Sequence, residues 1–428
     1  MRILRMTLAL LCCCLNTTAW AQEIPPSYTS KTKVAFGYFA TVSRLCVFDD
    51  FSQPDAVTKL EETWAEVKQI LEQTEQTFSV SIPTSDIARF NALAFGESVD
   101  VCPETVELLA LARKMYQNTD GYYDPTVYPL VDLWGFSPRF TNRAKEHSPY
   151  DRTRIDGALP PPDERYIAAF RKLVGMNLVT VMGDAQSGYR LRKDTPPVVV
   201  YGVSYQAQLD LGGIAKGYCV DRVTALLKRK GYDYGYFSSG SSSMHLMKTA
   251  SLAARNTGDP AFQLAVRKPR VTQTVGNAYA IIRAQDQSLS SSGDYDNNYL
   301  ADGNLCCHLI NPFTGYPLNM AFDGVQQGIC TATLLSGSAA EDDAYTTALC
   351  LMGPERALDF LNEDLRDRDV VMVLYRTDRA NYEVVTNLPK ERLEICDAAY
   401  ACASEVAEDG VIHYIGTLFG AMASNRPA

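Results

Sequence analysis

Apolar residues recur along this chain with two periods, three-to-four and two, and the switches between them mark out its elements. Val57, Leu60, Trp64, Val67 and Leu71 stand three or four apart, which predicts an amphipathic helix with one buried face. A second helix is predicted over 103–118, with Pro103 suited to its first turn and Gly121 following as a stop. Strand-like runs lie at 33–48, 173–182 and 198–211, with several more between 262 and 333. A helix is predicted over 216–230 and ends at Gly231. Another starts near Ala339, and Gly353-Pro354 breaks it from a further helix at 355–361. The run 370–375 reads as a closing strand. Residues 22–34 read as a polar linker, 137–163 as a long surface loop rich in Pro, Arg, Ser and Asp, and 393–428 as an extension of unassigned role. Helices and strands are mixed without a regular βαβ alternation, so the pattern predicts the α+β class.

The first 21 residues follow different rules. Arg2 and Arg5 give a positive start, a short apolar run covers 6–15, and Ala19-Trp20-Ala21 is a small-x-small cleavage pattern. This predicts a signal peptide and an exported protein, periplasmic or otherwise extracytoplasmic. Cys12, Cys13 and Cys14 leave a lipid anchor open, though they come early and lack a preceding small residue. Nine cysteines follow the leader, an odd number, with no CxxC pair and no zinc spacing. The formal net charge of −10 on 428 residues argues against a nucleic-acid surface. It does not exclude an anionic ligand, because a few amides, one lysine and a metal hold a phosphate locally.

Four segments carry candidate chemistry. Asp210-Leu211-Gly212-Gly213-Ile214-Ala215-Lys216-Gly217-Tyr218 is expected to sit where a strand over 205–211 turns into a helix. Paired glycines let a backbone approach a ligand, first-turn amides carry partial positive charge, and Lys216 adds a cation for phosphate. A plain strand-to-helix turn with a solvated lysine would read the same way. In Glu341-Asp342-Asp343-Ala344-Tyr345-Thr346-Thr347, Asp343, Thr346 and Thr347 fall on one helix face. One carboxylate with hydroxyl or carbonyl oxygens suits magnesium, and an acidic first turn favoured by the helix dipole is the alternative. His308 and Ile310 share one side of a strand entering the turn Asn311–Pro317, so His308 is a candidate base only beside a phosphate site. Gly121-Tyr122-Tyr123-Asp124-Pro125-Thr126 puts aromatics beside turn formers, able to frame a flat ring or simply to fill a core.

These segments, in this order, resemble the ApbE family of FAD:protein FMN transferases. The family-like stretches are FSVSIPTSDIARFN, GYYDPTVYPLVDLWGF, DLGGIAKGY, HLINPFTGYP and DDAYTTALCLMGPE, and the resemblance spans about 35–375. It implies an α+β, T-fold-like arrangement of mixed sheets packed with helices, with an FAD cleft between lobes, and a transferase domain over 35–392. It implies that Asp210, Lys216, Tyr122, Tyr123, Asp124 and Ile310 contact FAD, as do Phe39 and Ser81. Mg2+ would be held by Asp343 and Thr347, with backbone oxygens of Gly213 and Thr346 nearby, and His308 matches the family histidine near the reacting phosphate. The implied partner is an acceptor flavoprotein with a Thr or Ser flavinylation site, with possible membrane proximity through exported targets.

The chain also departs from the family. Ser238-Ser239-Gly240-Ser241-Ser242-Ser243 replaces an Asn-x-Gly-Gly loop, Thr346 stands where alanine or aspartate is usual, and Asn311 replaces an aspartate. Two further readings therefore stay open: an FAD pyrophosphatase using water, and a weakened flavin-binding or scavenging protein.

Overall fold

The computed structural model describes residues 24–137, 161–269, 278–294, 297–301, 304–318, 327–376, 381–404 and 406–417. The leader predicted over 1–21, nearly all of the loop predicted over 137–163 and the end of the tail lie outside the described residues.

One ten-stranded antiparallel sheet organises the fold. Its spatial order is Thr29–Phe36, Val42–Asp49, Gly235–Ser239, Ser243–Leu246, Gln287–Gly293, Gln327–Ser336, Asp369–Arg376, Asn381–Thr386, Ile412–Thr417 and Tyr400–Ser404. One face carries three long helices. Pro54–Phe78 presents Leu60, Trp64, Val67 and Leu71, spaced as the sequence predicts, to Val220, Val223 and Leu227 of the helix Gly212–Arg229 and to Phe237 of the sheet. Each such side chain contributes about 1.5–3 kcal/mol when fully buried. The third helix, Ala339–Met352, lies against Gly212–Arg229 and is itself almost wholly buried, which suits its high content of Ala, Leu, Cys and Met. The opposite face is covered by a three-stranded sheet of Phe262–Arg267, Ala278–Ala284 and Leu393–Ile395.

A second lobe forms around the small sheet Ser98–Val101, Gly188–Lys193 and Val179–Asp184, with the helix Pro103–Asn118 packed on it. Pro103 opens that helix and Gly121, at φ 83°, closes the turn behind it.

The fold corrects several expectations. The linker predicted over 22–34 is already sheet from Thr29, where Thr29 pairs with Asp49. Its alternation of Lys, Thr and Ser is that of a solvated edge strand, which resembles a linker in composition. The run 33–48 is two strands, divided by a turn in which Phe39 and Ala40 take φ of 53° and 52°. The strand expected over 173–182 starts only at Val179, because two 3-10 turns occupy Arg171–Leu173 and Met176–Leu178.

No strand runs from 205 to 211. Ladder pairing stops at Tyr205, and Asn91 then holds Leu209 through both its amide groups, at 2.8 and 2.7 Å. The strand at Asp369–Arg376 does not close the sheet, since three more strands follow it in space. Two of them belong to the segment over 393–428 predicted as an extension. Tyr400–Ser404 and Ile412–Thr417 complete the sheet edge, and Leu393–Ile395 joins the covering sheet. The boundary at 392 therefore cuts through continuous structure. Vicinal Cys306 and Cys307 are fully buried, and none of the nine cysteines among the described residues forms a disulfide.

Candidate active site

The helix Gly212–Arg229 begins at the glycine pair, four residues before the start predicted at Lys216. Asp210 Oδ1 accepts from the Gly212 N–H at 2.7 Å, and the Asp210 N–H donates to the Pro125 carbonyl at 2.8 Å. The segment is thereby tied to the turn Asp124-Pro125-Thr126. Lys216 Nζ folds back on its own first turn and donates to the Gly212 carbonyl at 2.8 Å.

The acidic helix Ala339–Met352 crosses this start at close range. A Cβ added to Gly217 would stand 2.1 Å from the Ala339 carbonyl oxygen, so only glycine permits the crossing. Asp343 reaches across the seam. Its Oδ2 accepts from the Gly217 N–H at 2.9 Å, and its Oδ1 accepts from Ser243 Oγ at 2.7 Å. Thr347 Oγ1 lies 3.9 Å from where a Cβ on Gly213 would stand. Asp221 locks the same seam from the other side, accepting from Ser338 Oγ and from the Ala339 and Ala340 N–H groups at 2.7, 2.8 and 3.1 Å.

The electrostatics follow from burial. Burial pushes the Asp343 carboxyl up from its ordinary range, and the Lys216 ammonium is the chief charge opposing that rise. Asp210 is likewise raised by burial, opposed by the Gly212 N–H and by Lys216. One lysine thus serves both carboxylates. Tyr123 is wedged between them at 3 % exposure, with its ring edge 3.4 Å from a Cβ on Gly213. Its hydroxyl is buried without a hydrogen-bond partner, and burial plus the nearby carboxylates of Asp210, Asp343 and Asp124 raise its pKa. Such an orphaned polar atom marks a place where a ligand or water completes the site.

Other predicted residues are placed differently. Asp124 turns inward and accepts from the Thr126 N–H at 2.8 Å and Thr126 Oγ1 at 2.6 Å, and burial lifts its pKa to about 6. Its side chain therefore builds the turn rather than facing outward. Thr346 Oγ1 donates back to its own helix carbonyls of Asp342 and Asp343, at 2.9 and 3.1 Å. Ser292 Oγ joins it to Thr347, at 2.9 and 3.2 Å from the two hydroxyls.

Tyr122 meets Phe313 edge-on at 4.9 Å, which brings the turn Asn311–Pro317 beside the aromatic segment. His308 is half-buried at the foot of that turn, its Nδ1 3.4 Å from the Asn297 carbonyl. Ile310 is buried in a core with Leu130 and Trp134 rather than bared to a cleft. Phe39 sits in the left-handed turn, its N–H held by Glu75 Oε1 at 3.0 Å, and Ser81 is exposed beyond the end of the helix Pro54–Phe78.

The structure therefore brings together Tyr123, Asp210, Gly213, Lys216, Asp343 and Thr347. It adds Ser243, Ser292, Gly217 and Asp221, which sequence reasoning did not single out as site residues. The run Ser290-Ser291-Ser292-Gly293 was a usable signal, since a strand with that many hydroxyls is unsuited to a plain apolar core.

Comparison with known proteins gives a consistent result. A FAD:protein FMN transferase of Vibrio cholerae is 29% identical over 293 residues, covering 68% of this chain and 74% of that protein. One from Klebsiella pneumoniae is 28% identical over 306 residues, covering 71% and 75%. The solved flavin transferase ApbE from Vibrio cholerae shares the fold, with a TM-score of 0.62 at 23% identity over 91% of this chain and 97% of that one. The ApbE family model matches residues 39–372, a span that includes the whole seam between the glycine-started and acidic helices, and the chain belongs to the ApbE family.

Proposed function

We propose that this chain transfers FMN from FAD to a Thr or Ser hydroxyl of an acceptor protein, in a Mg2+-dependent reaction that releases AMP. The observation that carries the reading is the meeting of Gly213, Lys216, Asp343 and Thr347 at one helix seam, although the two segments lie more than a hundred residues apart. Names borne by the relatives, all FAD:protein FMN transferases, support the donor and the reaction class.

The donor set fits magnesium. Asp343 and Thr347, with the Gly213 carbonyl, offer hard oxygens, and the buried Asp343 carboxylate has Lys216 as its chief compensating charge. When bound, the ion would neutralise diphosphate charge and polarise the phosphorus under attack. The chain's own residues do the rest. Lys216 and the first-turn amides offset phosphate charge and fix its position. The acceptor hydroxyl oxygen bonds to the FMN phosphorus, the bond from that phosphorus to the AMP oxygen breaks, and AMP carries the electron pair away. His308 takes the hydroxyl proton: with Nδ1–H donated to the Asn297 carbonyl, Nε2 is the basic nitrogen. General-base help of this kind is typically worth ~10²–10⁴-fold.

Export places the reaction outside the cytoplasmic membrane, on the strength of the leader-like first 21 residues. Incubation with FAD, Mg2+ and a candidate acceptor, followed by mass spectrometry, tests the proposal. An FMN mass gain on the acceptor that vanishes in Asp343→Ala supports it. Free FMN and AMP with no acceptor adduct would make water the attacker, and an adduct formed equally well in EDTA would remove the metal from the reading.

A further inference from the structure

The helix-facing side of the central sheet carries a row of serines where an apolar row is usual. Ser43 pairs with Ser239, Ser239 with Ser243, and Ser243 with Ser290, across four adjacent strands. All four are fully buried. Their small volume lets the acidic helix settle close to the sheet, and Ser290 Oγ donates to the Ala339 carbonyl at 3.1 Å. Of the four, Ser243 Oγ makes the chief bond to the Asp343 carboxylate, at 2.7 Å, and Ser290 adds a lesser one.

We infer that Ser243 is a positioning residue: its hydroxyl, from the second strand of the serine hairpin, sets the orientation of the Asp343 carboxylate toward the metal site. The inference rests on the metal role given to Asp343 above. The main donors to the carboxylate lie on different elements, the Gly217 N–H on Oδ2 and Ser243 Oγ on Oδ1, with a lesser bond from Ser290, which fixes both its rotation and its tilt. Each oxygen keeps a second lone-pair direction for a cation. Without the Ser243 hydroxyl, Oδ1 loses its 2.7 Å donor in a buried setting and the carboxylate is freer to turn.

The departure at Ser238–Ser243 thus acquires a use within the site. Ser238 and Ser239 are strand residues, Gly240 at φ 70° makes the bend, and the last serine reaches the acidic helix instead of the diphosphate. Partners of metal ligands typically change metal affinity 10–100-fold when removed.

The test uses the full chain and Ser243→Ala, each saturated with FAD, and follows the thermal midpoint as Mg2+ is added. FAD affinity in EDTA, read by flavin fluorescence, is the control. The expected result is a half-saturating Mg2+ concentration raised at least tenfold in Ser243→Ala with FAD affinity in EDTA unchanged. A role confined to folding would lower the midpoint at every Mg2+ concentration and leave the half-saturating value in place, and that result overturns the inference. Ser243→Cys, close in size with a much weaker donor, carries the same expectation and serves if the alanine variant does not fold. If the unaltered protein shows no Mg2+ response with FAD bound, the metal reading itself fails. If it responds while both variants match it, only the role of Ser243 fails.

Discussion

Replacing Gly217 with alanine pits two effects of opposite sign against each other at the centre of the site. In a helix interior, Gly→Ala ordinarily stabilises by about 1 kcal/mol, because alanine loses less backbone freedom on folding. Here the added methyl would lie 2.1 Å from the Ala339 carbonyl oxygen, 2.4 Å from its carbon and 2.6 Å from Ala340 Cα. All three are backbone atoms, so no side chain can swing aside. Bringing the shortest approach to the 3.0 Å that real contacts respect requires the helices to part by about 0.9 Å. Overpacking of this kind costs ~1–3 kcal/mol, and more where backbone must move, so the packing loss outweighs the propensity gain. A net destabilisation of about 1–2 kcal/mol is expected. The same separation would stretch the 2.9 Å bond from Gly217 N–H to Asp343 Oδ2, so the Mg2+ response should weaken with it. Urea unfolding followed by circular dichroism gives the first quantity, and Mg2+ titration of the FAD-bound protein gives the second. A Gly217→Ala protein at least as stable as its parent, with an unaltered Mg2+ response, would refute the reasoning about the seam.

Two further outcomes follow from buried polar contacts. Asp221→Ala removes three hydrogen bonds at the N-terminus of the acidic helix and should cost about 1–3 kcal/mol in urea unfolding, while Asp221→Asn, which keeps acceptor capacity, should cost less. His413 is clasped between Glu383 Oε1 at 2.5 Å and Asp409 Oδ2 at 2.7 Å, and the Glu383 bond above all raises its pKa over the ordinary 6.5. A raised folded-state pKa means the stabilisation is full below the unfolded value of 6.5 and is lost as pH climbs through the folded value. The stability gap between the parent and His413→Gln should therefore be widest in mild acid and close toward alkaline pH; a gap that widens with pH would reverse the assignment.

How far the sequence disclosed this arrangement differs from element to element. The helices Pro54–Phe78 and Pro103–Asn118 were readable because each places one apolar stripe against a core and carries proline at its start. The edge strand Thr29–Phe36 was not, since an edge needs no buried face and its Lys and Thr residues resemble a tether. The segment leading to Asp210 imitated a strand because it is extended and apolar, yet its backbone bonds go to the Asn91 side chain and the Pro125 carbonyl. At the site, the glycine pair, Lys216 and Asp343 follow from motif chemistry, while the metal role of Gly213 and the FAD contact of Asp124 rest on the resemblance to the family. Asp124 was named with them but has a local task, because an aspartate two residues before a threonine caps its own turn as readily as it binds a ligand. Strand pairings over longer separations, such as Asn381–Thr386 with Ile412–Thr417, left no local mark in the tail.

The serine row explains how a carboxylate can be stationed in the interior at all. A carboxylate 4 % exposed must be held by donors or it takes up a proton, and the bonds that hold Asp343 come from other elements than its own helix. The main donors are a glycine N–H 126 residues away and a serine hydroxyl 100 residues away, with a lesser bond from Ser290 and the Lys216 charge beyond them. Had the row been Val or Ile, as strand propensity favours, the acidic helix would have been pushed outward and Oδ1 left bare. Weak strand formers at the middle of the main sheet are thus the structural condition for a charged acid at its surface. That condition, more than the acid–threonine motif itself, separates this helix from an ordinary acidic first turn.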